Sequence, residues 1–434
     1  MRAYFSPGLL LILALGFYSG LPLALTASTL TAWLSDAAVD RAAIGLFAAV
    51  ATPYAFKFLW SPLVDGLRIP LLGRLGRRRS WLLITQIMLA AAIAAMGVTD
   101  PAAAAGVTAL AAVAVATLSA TQDIVIDAYR VERLTVEEQG KGAAMATFGY
   151  RIGMLLSGAG ALALADQLGW QATYFIMAAV AASAMLLTLI AKEPAVEEDA
   201  DYALTRNLPP NLDLAHKTGL LVTFVRENVI APFKDFMQRP LWFGVLCFVI
   251  LYKLGDAFMG IMFNPFLLDL GFTKTEIAAV VKVYGLIATI LGSFIGGWLV
   301  AKWGMYRSLM ICGFGHMLTN LLLVVQAKLG ADLQFLTLSI SLENLTGGMA
   351  TTAFIAYLSA LCKTHYTATQ YALLSSLAAF GRTWLSTPSG ALAEAVGWAW
   401  FFAIASTMAI PGLILLWYLE HRQRRNTARS GQTI

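Results

Sequence analysis

The sequence predicts an all-α membrane protein of twelve transmembrane helices in two six-helix bundles, on the strength of its composition, its apolar runs and an internal repeat. Of its 434 residues, 59% are hydrophobic and only 13% charged, about half the charged fraction of a soluble globular chain. Too few polar side chains remain to cover a water-facing surface. Most apolar runs reach about 20 residues, which as helix crosses a hydrocarbon layer roughly 30 Å thick. Three cysteines, Cys247, Cys312 and Cys362, all lie in or beside apolar runs, which excludes a secreted disulfide scaffold. The net charge of +5 comes from loop lysines and arginines and calls for no nucleic-acid partner.

Six runs precede a polar central segment, near residues 7–34, 41–64, 80–98, 103–128, 142–165 and 171–191. Six follow it, near 241–268, 276–301, 308–327, 333–361, 370–393 and 398–419. The first run is too long for a signal peptide and no clear small-residue cleavage site follows it, so it reads as a retained helix. With both termini on one side, that side's loops and tails hold twenty-two Lys and Arg residues, against Arg41, Lys274 and Lys328 opposite. By the positive-inside rule both termini are expected in the cytoplasm. The segment from Lys192 opens acidic, carries Pro209 and Pro210, and regains apolar spacing from Leu220 to Met237. This pattern fits a linker followed by a short helix on the membrane surface. The expected organisation is therefore an N-terminal bundle over 1–191, a cytoplasmic linker with its interfacial helix over 192–240, a C-terminal bundle over 241–421 and a basic tail over 422–434.

Self-comparison supports two related halves. Gln139–Arg151 reads QGKGAAMATFGYR and Gln370–Arg382 reads QYALLSSLAAFGR; Ala161–Trp170 reads ALALADQLGW and Ala391–Trp398 reads ALAEAVGW. After the second and eighth runs, Ser61–Arg79 carries S-P-L-V-D followed by G-R-R-R, while Gly297–Arg307 reads GWLVAKWGMYR. This pair resembles the G-x-L-a-D-r-x-G-r-r loop motif of the major facilitator superfamily. The first copy has an insertion before Gly76, and the second has Ala301 where the family's Asp would sit. The resemblance implies a major facilitator fold: two six-helix bundles around a central cavity, with alternating access by rocking of the halves.

An ionisable group at membrane depth costs roughly a few kcal/mol unless paired or wetted, so each is a functional candidate. Nine qualify: Lys57, Asp123, Asp127, Arg151, Lys253, Asp256, Lys282, Glu343 and Arg382. They leave one excess positive charge, as suits a bundle that receives an anionic solute; the alternative is internal ion pairing. At about 1.5 Å per residue, Glu343 and Arg382 both lie near mid-membrane. Either they pair, or Arg382 holds a substrate carboxylate in a bidentate contact. Lys253 and Asp256 share one helix face; they form a local pair, or Lys253 contacts the anion while Asp256 titrates. Asp123 and Asp127 also share a face, where like charges raise one proton affinity. Asp127, near the helix end beside Arg130, is assigned to an inner gate with Arg77–Arg79. Asp123, next to Gln122 and level with Arg151, is the better proton carrier, unless it forms a static pair with Arg151. Lys57 and Lys282 can snorkel to an interface. Tyr150, Tyr284, Trp384 and Asn264 are available to line a sugar cavity, although packing accounts for any one of them. His316 reads as a packed polar residue, since no metal-spaced Cys/His set accompanies it. Gly292 and Gly296 read as helix packing. No P-loop is present, and no nucleophile–base or metal set, so neither ATP hydrolysis nor any other enzyme activity is expected.

Longer motifs carry a closer resemblance. Gly16–Trp33 reads GFYSGLPLALTASTLTAW, Tyr54–Asp65 YAFKFLWSPLVD, Ser119–Asp127 SATQDIVID, Glu343–Gly348 ENLTGG and Tyr366–Arg382 YTATQYALLSSLAAFGR. In this order they resemble the AmpG-type anhydromuropeptide permeases, from the first run to the last; some members carry extra C-terminal helices. The resemblance implies a bacterial inner-membrane importer, driven by the proton gradient. Its substrate would be N-acetylglucosaminyl-1,6-anhydromuramic acid with or without stem peptide, for wall recycling and β-lactamase induction. Such an anionic muropeptide asks for cationic anchors with aromatic and amide contacts. The substrate candidates are Arg382, Lys253, Arg151, Glu343, Asn344, Tyr150, Gln122 and Asn264. Asp123 and Asp256 are the candidates for proton coupling, and Asp65, Arg77, Arg78 and Asp127 for the gate motif. No cofactor or metal is expected, the partners are muropeptide, protons and the bilayer, and the chain is expected to be a monomer. The alternatives are a same-fold transporter of another solute, such as a siderophore or small peptide, and a muropeptide sensor.

Overall fold

A computed structural model describes residues 6–40, 44, 47–67, 69, 72–194, 223 and 225–430; the side chains of Lys282 and Arg382 lie outside the described set, as does most of the predicted linker. Among the described residues every regular element is helical. In chain order they group as α1 (Pro7–Asp36), α2 (47–66), α3 (Arg77–Gly97), α4 (Pro101–Arg133), α5 (Val136–Leu168) and α6 (Trp170–Ile190). After the connecting helix Ala231–Met237 come α7 (Trp242–Asp269), α8 (274–303), α9 (Met305–Leu329), α10 (Leu333–Ala360), α11 (367–396) and α12 (Trp398–Arg422).

The starts are written in the sequence. Ser6, Asp100 and Asp332 cap α1, α4 and α10 by accepting from free amides of the first turn, and Pro7 and Pro101 follow two of those caps. The repeat recurs in three dimensions. Gly169 (φ +78°) and Gly397 (φ +75°) turn the chain into Trp170 and Trp398. The two indoles donate to Asp36 Oδ2 at 3.1 Å and to Asp269 Oδ2 at 3.2 Å, the ends of α1 and α7. Each half packs its own core, around Trp33, Ile93 and Tyr174 in the first and around Phe248, Tyr252, Phe354 and Tyr357 in the second.

Among the described residues all twelve predicted runs are largely helical, but not all are simple spans. Nine helices among the described residues are long and apolar enough to cross a membrane. Helix α2 is not: it breaks into short pieces, two of which restart at Pro53 and Pro62, since proline lacks the amide that would continue the ladder. Helices α10 and α11 pass the same length and hydropathy test only together, across a bend of 105°. Both carry polar faces, for reasons that the site explains. Two boundaries move. Helix α3 begins at Arg77, so Arg77, Arg78 and Arg79 form its first turn rather than a loop, and α4 runs on to Arg133. Helices α5 and α8 meet across the two halves at backbone contact: a Cβ on Gly297 would stand 2.7 Å from the Gly140 carbonyl oxygen.

Candidate functional site

Three arginines in the first turn of a helix oppose its macrodipole, so the fold must supply anions there. It supplies three. Asp65, at the end of α2, accepts from Arg78 Nη2 at 2.8 Å. Glu132, at the end of α4, takes both Nε (3.0 Å) and Nη2 (2.5 Å) of Arg78, and lies 3.4 Å from Arg77 Nη2. Glu193 accepts from the backbone amides of Arg78 (2.7 Å) and Arg79 (3.0 Å). Burial pushes the Glu193 carboxyl up, against those two amides, which pull it down. Gly76 precedes the helix at φ +96°, and a side chain there would overlap Glu193. Asp65 also reaches the other half. It accepts from the amides of Ala368 (3.2 Å) and Thr369 (2.7 Å), which have no partner within the first turn of α11, and from Thr369 Oγ1 (2.7 Å). Nearby, Arg130 donates to Ser359 Oγ of α10 at 3.0 Å and lies over the Tyr371 ring. The face of the molecule that bears these arginines is thus held shut by bonds between the halves.

Asp127, expected in this cluster, is not part of it. It lies 3.6 Å from Arg130 and 3.9 Å from Lys57, one helical turn farther from the arginine cluster than Glu132, which takes the place expected of Asp127. Lys57 is buried against that carboxylate rather than snorkelling to an interface. Glu132, Glu193, Thr369 and Ser359 were not singled out from the sequence. Glu193 reads in the sequence as part of the acidic opening of the linker, and the hydroxyls act from more than 200 residues away.

Between the halves lies a cavity of about 300 Å³. Helix α5 contributes Thr147 and Arg151; α7, α8, α9 and α10 contribute the rest, including Asp256, Phe263, Thr289, His316, Glu343, Asn344 and Thr351. Arg151 makes no hydrogen bond or ion pair with any described residue, including Asp123. On the facing wall Lys253 Nζ donates to Asp256 Oδ2 and to Thr351 Oγ1, both at 3.0 Å. His316 Nε2 bonds Asp256 Oδ1 at 2.9 Å and its Nδ1 bonds Thr346 Oγ1 at 3.1 Å. The residue read as a packed polar group is therefore a member of the charged cluster. Asn344 donates to Glu343 Oε2 (2.7 Å) and accepts from Thr289 Oγ1 (3.0 Å). The polar content of α10, which keeps it from reading as a simple span, is spent on this wall.

In the first half Asp123 accepts from Ser19 Oγ at 2.6 Å and has no cation within ion-pair distance among the described residues. Gln122 is buried, its amide donating to the Tyr18 carbonyl. Tyr150 lies at the α1–α5 seam, where its backbone abuts Gly20. Asn264 is exposed and, like Tyr284 and Trp384, lies outside the lining of the cavity. Gly292 and Gly296 press against the backbone of Leu345 and Met349. The side chain of Arg382 falls outside the described residues.

Comparison with known proteins places this architecture. A family model described as Major Facilitator Superfamily matches residues 9–386 and 246–433. The anhydromuropeptide permease of Escherichia coli (strain K12) is 42% identical over 418 residues, covering 96% of this chain and 80% of that protein. The AmpG 4 chain of Rickettsia conorii is 37% identical over 413 residues, covering 94% and 95%. In fold the chain is similar to the solved proton:xylose symporter XylE bound to 6-bromo-6-deoxy-D-glucose, with TM-score 0.67 at 15% identity over 96% of each chain. The chain is a multi-pass membrane protein that belongs to the major facilitator superfamily and, within it, to the AmpG-type family of anhydromuropeptide permeases.

Proposed function

We propose that this protein imports anhydromuropeptides across the bacterial inner membrane, with both termini in the cytoplasm, by coupling their entry to protons. The observation that carries the reading is Arg151: a guanidinium facing the interior cavity that forms no ion pair with any described residue. Half-buried on the cavity wall, this guanidinium is free to meet an anion; a carboxylate of the cargo supplies the partner in a charge-assisted contact. Asn344 and Thr351 offer amide and hydroxyl contacts to sugar hydroxyls and acetamides, and Phe263 an apolar surface. A volume of about 300 Å³ sits at the low end of the roughly 300–1,000 Å³ usual for ligand sites. That size suits the anhydrosugar end of the cargo, with a stem peptide trailing along the path. Arg382 remains a second anion anchor in this proposal. Asp123, held only by a serine hydroxyl, and Asp256, held by two exchangeable donors, are the proton carriers. The latch at Asp65, Arg78 and Glu132 closes the basic face, which supports a resting state open to the opposite side.

Uptake of labelled N-acetylglucosaminyl-1,6-anhydromuramic acid into right-side-out vesicles under an imposed pH gradient tests this. Accumulation above equilibrium that collapses with the gradient is expected. Saturable binding without accumulation would point to a sensor, and accumulation of a siderophore or small peptide alone would reassign the cargo.

A further inference from the structure

We propose that His316 is a further proton-carrying site, beside Asp256 in the C-terminal half, whose charge ties cargo affinity to pH; the inference rests on the importer reading above. Its imidazole is 6% exposed and bridges three helices, with Asp256 of α7 on Nε2 and Thr346 of α10 on Nδ1. A neutral imidazole has one donor nitrogen and one acceptor; a charged one has two donors. This pocket satisfies both. With the ring neutral, Nε2–H donates to Asp256 and Nδ1 accepts the Thr346 hydroxyl proton. With the ring charged, Nδ1–H donates to Thr346 Oγ1, whose proton turns to the carbonyl of Leu342 or Glu343, each 3.0 Å away. One hydroxyl rotation separates the two states, and neither loses a hydrogen bond. A merely packed histidine needs one such arrangement, not two.

The charged groups facing the ring set the sign of the effect. Helix α7 presents Lys253 and Asp256, α10 presents Glu343, and α5 presents Arg151 across the cavity; among the described residues α12 contributes the uncharged Ala405, Ser406, Ala409 and Leu413. The formal charges of Lys253, Arg151, Asp256 and Glu343 sum to zero, although Arg151 forms no ion pair with a described residue, so a proton taken from cavity water onto Nδ1 leaves the cavity lining with a net charge of +1. An anionic muropeptide then binds more tightly to the protonated site. By linkage, the bound cargo holds the proton equally more tightly. Loss of the proton after the site opens inward weakens the hold on the cargo. The coupling needs no contact between cargo and histidine.

The test is the pH dependence of affinity for the disaccharide N-acetylglucosaminyl-1,6-anhydromuramic acid, measured on the full chain in nanodiscs between pH 5.5 and pH 8.5. One linked proton tightens binding by at most about tenfold per pH unit. The wild type should approach that slope. His316→Gln, which can still donate to Asp256, should lose at least half of that slope. Thr346→Val leaves the Asp256 bond in place but strips the charged ring of its second acceptor, and should move the steep region to lower pH. Wild-type slopes in both variants would overturn the assignment of His316 and leave the importer reading intact. Should His316→Gln fail to fold, Thr346→Val decides alone. A wild type that does not bind the disaccharide would sink both.

Discussion

Replacing Asp65 with asparagine should unlatch the basic face. The carboxylate receives four donors: Arg78 Nη2 and the Ala368 amide on Oδ1, the Thr369 amide and hydroxyl on Oδ2. Asparagine keeps the shape but offers one oxygen, so whichever way it turns, one backbone amide of α11 faces an NH₂ group, while the Thr369 hydroxyl can rotate to accept. Bonds to a charged acceptor contribute about 1.5–3 kcal/mol each. Asp65 is only 3% exposed, so water does not replace the lost acceptor. One such bond between the halves, about 1.5–3 kcal/mol, shifts the closed-to-open ratio of this face roughly 10- to 100-fold. The measurement is a distance distribution between spin labels at Val136 and Thr364, exposed on the two halves, in a background lacking Cys247, Cys312 and Cys362. The wild type should show one short distance, and Asp65→Asn a dominant longer one. An unchanged distribution in a folded Asp65→Asn protein would refute the claim that this carboxylate holds the halves together.

Arg151→Ala should weaken binding of the anionic disaccharide by about 10- to 100-fold, the value of one charge-assisted contact, with membrane insertion unchanged; equal loss of protein level would indicate a structural role instead. Asp123→Asn should abolish gradient-driven accumulation while sparing counterflow exchange, and retained accumulation would remove Asp123 from the proton path. Glu193, raised by burial against its two amide donors, contributes stability at low pH that declines as pH rises through its folded-state value. The melting temperature of Glu193→Gln relative to wild type should therefore increase between pH 5 and pH 8, and a flat difference would contradict that sign.

Hydropathy made the helical runs legible because a membrane span must be apolar along its whole length, and the repeat exposed the two halves because their turns reuse Gly-Trp. The same logic hid α2 as a broken element: its runs are apolar enough, but Pro53 and Pro62 interrupt them. Charge spacing placed Lys253 and Asp256 on one face, and their side chains meet. It could not find His316 as their third member, because α9 gives no local hint of which helix its ring will face. Asp127 was grouped with the arginines by its position along α4. The geometry instead joins Glu132 to them, one turn farther on, since α4 extends beyond its apolar stretch. Thr369 and Ser359 carry no charge and act across the molecule, so only three-dimensional contact reveals them.

The two repeats treat their shared seam differently. One copy places Asp65 against the start of α11; the other has Ala301 at the matching position, and there Gly140 and Gly297 let α5 and α8 touch. One edge is fastened by a polar clasp and the other by a knuckle of bare backbone. Parting the halves then resembles the swing of a door: small displacements beside the glycines, growing toward α11. A compound wedged at the clasp edge would jam the swing with few contacts, whereas one aimed at the knuckle would find no gap to enter.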